Sequence, residues 1–442
     1  MLFSKNDLVK LLIPLVIEQL LAVAVGMVDV MMVSSVGESA VSGVSLVDSI
    51  SILIIQMLSA LATGGAVVAS QYIGKKETDK ACHAAGQLVS VTTLVSLVIA
   101  MAALCFCKTL LRVIFGDVEE SVMENALIYF RITAISYPFL ALYNSCAALC
   151  RSMGNSRISM QVSLVMNGIN VLGNAICIFG LHMGVEGVAY PTLISRMIAA
   201  GLMMYIICQP GHVIHLRSVR DLKLSKKMIR NILNVGIPSG LENSIFQIGK
   251  LTLQSLVSSL GTTALASYAV ASNLVTLQYL PGNAIGLGMI TVVGQCVGAG
   301  AFDQVKFYTK KLILLNYAFL LVICSIMVAG SQTIVGFYSL SPEAAIEAQR
   351  MITVHAMAMV IWPLAFTLPN VLRASMDAKF TMMVSVFSMW AFRIIMAYWF
   401  VKGMHMGIMG VWYGMFIDWA FRALLFVLRF RKYGKNKVRA VE

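Results

Sequence analysis

The sequence predicts an all-α polytopic membrane protein with twelve transmembrane helices, arranged as two six-helix parallel-repeat lobes around a central cleft. Three observations predict it. The 442-residue chain is 59% hydrophobic and 12% charged, with a mean hydropathy of +0.84, whereas a soluble chain carries about 25% charged residues. Its apolar runs are mostly ~20 residues or longer, enough for a helix to cross ~30 Å of hydrocarbon and too continuous for the ~10-residue alternating strands of an outer-membrane barrel. The first half of the chain also recurs in the second.

In order, the predicted spans are 9–34, 44–71, 86–107, 123–149, 159–181, 187–208, 231–259, 264–297, 308–330, 346–371, 380–401 and 407–430. The first follows only "MLFSKNDLVK" and has no small-residue cleavage site after a short core, so it reads as a retained span. Of the 33 Lys and Arg residues, 24 fall on one side of the spans and 4 on the other (Lys108, Arg112, Arg350 and Lys402). That bias places both termini in the cytoplasm. The opposite face carries acids, including Glu38, Asp117, Glu119, Glu120, Glu343 and Glu347. The net charge of +13 therefore reports topology rather than nucleic-acid binding. The longest polar stretch, "QPGHVIHLRSVRDLKLSKKMIR" at 209–230, reads as a cytoplasmic linker between an N-lobe (1–208) and a C-lobe (231–430), with a basic cytoplasmic tail at 431–442.

A shift of 224 residues lays the halves on each other. Pro14 meets Pro238, Glu18 meets Glu242, "VSSVG" at 33–37 meets "VSSLG" at 257–261, and Gln71 meets Gln295. Later, "HMGVEGVAY" at 182–190 meets "HMGIMGVWY" at 405–413, at an offset of 223. Glycines and prolines in fixed register require an internal duplication, not just shared hydrophobicity. Six spans per half is an even number, so both copies enter the membrane the same way. Rocking one bundle against the other would open the cleft to alternate sides, as in a secondary transporter.

Charges inside the apolar runs are the candidate chemistry, because they usually face the bundle interior or a wet cavity. Glu18 and Asp29 are 11 positions apart and so share one face of the first span. Two carboxylates on one face suit a cation or proton path; the competing account is that each is pinned by a neighbouring Asn or hydroxyl. Asn167, Asn170 and Asn174 line one face of the fifth span, either as interhelical glue or as oxygen ligands beside Asp29. Thr192, after Pro191, adds a hydroxyl. The acid Asp29 aligns with Leu253 and the base Lys250 with Gly26, so the copies differ electrostatically. Lys250 is either a contact for an anionic group or half of an ion pair, for example with Glu242. Asp418 and Arg422, spaced i,i+4, read as a local ion pair, and His355 as a satisfied interior residue. Asp48, Arg131, Arg196 and Arg393 are the other intramembrane charges. The nine Cys residues form no CxxC pair and read as apolar fillers. The 29 Met residues read as membrane core or as lining of an adaptable pocket.

The chain has no G-x-x-x-x-G-K-[ST], H-E-x-x-H or G-x-S-x-G motif. Coupling to a downhill ion is the natural energy source, since each charge crossing 100 mV releases ~2.3 kcal/mol. A membrane enzyme would need a nucleophile or metal cluster, and a channel a filter repeat.

Several stretches together, in order, resemble the multidrug and toxic compound extrusion (MATE) transporters: "GMVDVMMVSSVG", "TGGAVVASQYIGKK", "CRSMGNSR", "NVLGNAICIFG" followed by "GVEGVAYPTLIS", "GIPSGLENSIFQIGKL" and "VLRASMDAKF". The resemblance implies a polyspecific efflux antiporter in the bacterial plasma membrane, exporting organic, often cationic, compounds in exchange for H⁺ or Na⁺. It implies no cofactor, no ATPase subunit and a monomer. It also implies a cation-coupling site at Asp29, Asn170, Asn174 and Thr192, with Na⁺ at Asp29, Asn170 and Asn174 as the metal alternative to a proton. Many members carry Asp where this chain has Asn174, which concentrates proton exchange on Asp29. One branch carries acids deep in spans seven and ten, where this chain has Phe246 and Pro363. The chain therefore resembles the branch coupled through the N-lobe, leaving Glu18, Glu242, Lys250, Asn167 and Phe246 as cleft or gating candidates. A distant relative, the lipid-linked precursor flippase, is the alternative within transport.

Overall fold

The computed structural model describes residues 1–116, 118–216, 224–338 and 340–433. Residues 217–223 of the expected linker, the expected tail beyond 433, and Asp117 lie outside the described residues. Among the described residues all regular structure is helical. The first half comprises α1 (Lys5–Ser34), α2 (Glu38–Gly74), α3 (Thr78–Phe115), α4 (Glu120–Ser152), α5 (Ser156–Ala175) and α6 (Glu186–Ile207). The second comprises α7 (Lys226–Ser258), α8 (Thr262–Gly298), α9 (Phe302–Gly336), α10 (Pro342–Ala358), α11 (Pro369–Ala374), α12 (Ala378–Ser388), α13 (Ile395–Tyr398) and α14 (Ile408–Lys432).

Helix ends follow local chemistry. Ser4 caps α1 by accepting from the Asp7 amide, and the Asp7 carboxylate accepts from the Ser4 amide. Ser341 caps α10 with Pro342 in the first turn. Among the described residues ten segments are long and apolar enough to cross a membrane singly. The α10–α11 pair makes an eleventh, bent by 65° at its break. The twelfth, α7, is 33 residues long but less apolar, because Glu242, Lys250 and a basic first turn interrupt it. Most helices outrun the predicted spans; α3, for example, covers Thr78–Phe115 rather than 86–107. The apolar run marks only the hydrocarbon core, and a helix continues through the polar interface.

The chain forms two compact units that divide between Gly240 and Leu241, inside α7 rather than in the linker. The local reason is close backbone approach. A Cβ on Gly64 of α2 would lie 2.8 Å from the Gly236 nitrogen of α7, so the first half of α7 packs with the first unit. The core of that unit runs through Val47, Leu58, Leu111, Phe130, Tyr137 and Ala189. Interhelical hydroxyl pairs add to it: Ser51 with Tyr137 and Thr92 with Ser145, both at 2.8 Å. The second unit has one cluster around Leu253, Val257, Ile352 and Trp412, and another around Trp362, Ala365 and Trp419. Large apolar side chains such as Val98 and Met101 on α3, and Leu321 and Ile326 on α9, stay exposed, as lipid-facing surface should.

The duplication is written in the backbone. Positive φ recurs at matched positions: Gly37 and Gly261, Lys76 and Gly300, Gly154 and Met376, His182 and His405. That a Met and a Lys accept this conformation where the other copy uses Gly shows that the turn, not the residue, is preserved. Matching π-turns end the fifth span (Ile176–Gly180) and its counterpart (Trp399–Gly403). The offset between the copies is 222 at Gly154/Met376 and 223 at these π-turns. Between the two points the second copy has a further π-turn, Met389–Ile394, where α5 is regular helix. A π-turn absorbs one inserted residue and marks functional positions in many helices. This one carries Arg393.

Candidate functional site

In the first unit, α1 supplies Asp29, α5 supplies Asn170 and Asn174 one turn apart, and α6 supplies Thr192. A Cβ on Gly173 would lie 2.7 Å from the Pro191 Cβ, so α5 and α6 touch beside these residues. Asn174 Nδ2 donates to Asp29 Oδ1 at 2.9 Å. Asn170 Nδ2 donates to the Thr192 hydroxyl (3.0 Å) and its Oδ1 accepts from Asn174 (3.3 Å); turned end for end, the same amide would donate to Asp29 Oδ1 (3.0 Å) and Oδ2 (3.2 Å). Asn170 and Asn174 are buried, while Asp29 and Thr192 are half-buried. Among the described residues Asn174 Oδ1 has no hydrogen-bond partner, and no base stands within ion-pair distance of Asp29. The carboxylate therefore lies against two amides, with no base in ion-pair contact among the described residues.

Two further charges frame it, which the sequence showed only as unassigned residues in apolar runs. Asp48 of α2 accepts from the Tyr129 hydroxyl at 3.3 Å, and Arg196 of α6 donates to Ser136 Oγ at 2.6 Å. Arg196 is near enough to Asp29 to act on it electrostatically, and Asp48 and Asp29 act on each other. Arg196 lies one turn beyond Thr192, a spacing visible in the sequence; that α2 faces the same spot was not.

The other candidates separate from this cluster. Asn167 donates to Ser163 on its own helix (3.3 Å) and does not join Asp29. Glu18 does share a face with Asp29, since both meet α5. It is paired, however, accepting from Ser159 (3.0 Å) and facing Arg151 of α4 at 3.6 Å. Its counterpart Glu242 is 7% exposed, 2.8 Å from Arg373, and accepts from Thr381 (3.4 Å). The ion pair considered between Glu242 and Lys250 is thus not formed; Arg373 takes the acid, and Lys250 lies over the Phe246 ring, 5.1 Å from its centroid. Asp418 and Arg422 pair as their spacing predicted, at 2.7 Å. His355 is buried, bonded through Nδ1 to Gln278 Oε1 (2.5 Å) and enclosed by Trp412, Phe416 and Trp419. Pro363 sits just past the break in the tenth span, where the Tyr317 hydroxyl donates to the freed Val360 carbonyl (2.8 Å).

A duplicated bundle of membrane-length helices, with a carboxylate set among amides in one copy, is the build of a membrane transporter. The MatE family model matches residues 14–176 and 238–399, once in each copy. The chain belongs to the MatE family, whose members are transporters and not enzymes. It is 27% identical to the uncharacterized transporter YisQ of Bacillus subtilis, over 95% of this chain and 92% of that one. It is 24% identical to the probable multidrug resistance protein NorM of Thermotoga maritima, over 99% and 94%. A crystal structure of MATE in the straight conformation superposes with a TM-score of 0.91 at 20% identity, covering 98% of this chain and 97% of that one; the bent conformation gives 0.90, covering 97% and 94%. These likenesses show the twelve-helix fold.

Proposed function

We propose that the chain exports organic, drug-like compounds across the bacterial plasma membrane in exchange for protons, with Asp29 as the proton carrier. The lobes 1–208 and 231–430, joined by the 209–230 linker, alternate in access, and both termini and the 431–442 tail are cytoplasmic. No second subunit is required. The multidrug resistance named for the Thermotoga relative supports the substrate class.

One observation carries the ion assignment. Asn174 presents nitrogen, not oxygen, to Asp29, and Asn170 does the same once its amide is turned end for end. N–H donors suit a bare carboxylate, whereas a hard cation needs oxygens around it. Protonation turns one carboxylate oxygen into a donor, and an Asn174 amide turned end for end would offer its Oδ1 as acceptor. Protonated and bare states thus prefer different arrangements between α1 and α5, which lets proton binding bias the lobe.

Drug-driven proton release from proteoliposomes, with and without Na⁺, tests this. The native chain should release protons whether or not Na⁺ is present, and Asp29→Asn should fold normally but release none. Unchanged release in the variant, or an absolute need for Na⁺, would reject the assignment.

A further inference from the structure

The second unit carries a cluster of bases that proton exchange at Asp29 does not use. Lys250, Arg393 and Arg422 each point a cationic group at one ring, Phe246, at 5.1, 5.0 and 5.4 Å from its centroid. Any two of them are therefore closer than twice that distance. Among the described residues Asp418 is the acid that pairs with them. Its Oδ1 is taken by Arg422 and Ser388, and Arg393 stands 3.7 Å from its Oδ2. Glu242 nearby is spent on Arg373. Arg393 is 8% exposed, and its Nε has no hydrogen-bond partner among the described residues. No acid stands within ion-pair distance of Lys250 among the described residues. Uncompensated positive charge inside a membrane protein is costly and calls for a partner.

Lys250 is also reachable. With Asn243, Gln247 and the exposed Gln254 it forms a polar stripe along α7. The exposed apolar stripe of the same helix, Leu241, Ile248 and Leu251, lies about a third of the way round at 100° per residue. The exposed Lys250 therefore stands on a polar stripe of α7 apart from its exposed apolar one. Beside it an aromatic wall runs from Phe246 to Phe366 (6.3 Å) to Trp362 (5.3 Å) to Tyr279 (5.9 Å), at the break in the tenth span. Broken helices in membranes occur where backbone lines a site.

The first copy lacks all of this. Lys250 replaces Gly26, Arg393 stands on the inserted π-turn in register with Asn170, and Leu253 replaces Asp29. One copy gained acid-and-amide chemistry, and the other gained bases and aromatic rings.

We propose that the second unit binds an organic anion, its carboxylate or phosphate head between Lys250 and Arg393 and its apolar body against Phe246 and Phe366. The proposal takes its physiological meaning from the efflux reading, but binding tests it without transport. An exported compound and a membrane lipid both offer such a head.

The test uses the full chain in phosphatidylcholine nanodiscs, with energy transfer from tryptophan to 1-pyrenebutyrate as the readout and its methyl ester as the uncharged control. The native chain should bind the acid more tightly than the ester. Lys250→Met should weaken acid binding roughly tenfold, the loss of one charge-assisted hydrogen bond, and leave the ester unchanged. Lys250→Arg should keep the preference, and Asp29→Asn should bind as the native chain does, which separates this site from the proton carrier. Adding phosphatidylglycerol distinguishes the sources: displacement of the probe in the native chain assigns the head to a lipid phosphate, and no displacement assigns it to a soluble compound. Equal binding of acid and ester, or an unchanged acid affinity in Lys250→Met, overturns the proposal.

Discussion

Asn174 decides how much negative charge the first unit can hold. It is fully buried, and its amide nitrogen is 2.9 Å from Asp29 Oδ1. An acid there would put two carboxylates at hydrogen-bonding distance, and such a pair cannot both ionise without a cation between them. Asn174→Asp should therefore make export respond to Na⁺, measured as dye efflux from cells at fixed pH with and without Na⁺. Indifference to Na⁺ in the variant would argue against the single-carboxylate account of proton coupling. Much of this site was legible in the sequence. An acid in an apolar run, two amides at helical spacing and a hydroxyl after a proline each carry a local signal. Asp48 and Tyr129 were not legible as neighbours, because no local pattern reports which helices converge. Asn167 shares the amide stripe, yet it turns to Ser163 instead. Spacing fixes the face of a helix but not the hydrogen bond each member makes.

At the scale of elements, the two repeated glutamates act as clamps, Glu242 buried and Glu18 half-buried. Glu18 ties α1 to Arg151 and Ser159 at the α4–α5 junction, and Glu242 ties α7 to Arg373 and Thr381 at the matching junction. Both bases and both hydroxyls stand at the same offset between copies, so the duplication preserved a whole contact. Removing one partner of a buried pair leaves a bare charge, at a cost of about 3–5 kcal/mol. Arg373→Met should lower thermal stability by that order, and adding Glu242→Leu should recover most of the loss. Arg151→Met should cost less, because that contact is longer and Glu18 keeps Ser159. Unfolding midpoints in detergent measure all three, and equal losses for the two arginines would contradict the ranking. The glutamates were visible in the sequence as a repeated pair, but their arginines lie more than a hundred residues away in loops read only as topology signals. The bend between α10 and α11 and the π-turn at Met389–Ile394 were equally hidden. Each needs three-dimensional packing to choose it, since proline alone does not: Pro138 sits inside an unbroken α4.

At the scale of the whole molecule, the duplication supplies the frame and its differences supply the direction of the chemistry. The twelve-helix order and the two-copy register were readable because glycines, prolines and turns persist at fixed offsets. That the copies divide the labour was readable only in part, from Asp29 against Leu253 and Gly26 against Lys250. If the position alone mattered, moving the acid across the repeat would move the proton site. The surroundings argue otherwise. Leu253 is 2% exposed in an apolar cluster with Leu256, Val257 and Ile352. The residues in register with Asn170, Asn174 and Thr192 are Arg393, Ala397 and Met415, which offer neither a pair of amides nor a hydroxyl. A carboxyl at 253 would replace an apolar side chain in that cluster without the amide pair that flanks Asp29, and a poorly satisfied buried polar group costs about 1–3 kcal/mol. The double variant Asp29→Leu with Leu253→Asp should therefore show no drug-driven proton release in proteoliposomes and should unfold at a lower temperature than Asp29→Leu alone. Leu253→Asp alone should keep proton release in whatever fraction remains folded, since Asp29 and its amides are untouched. Recovery of proton release in the double variant would mean that coupling follows the first helix of either copy and not the amide-lined site.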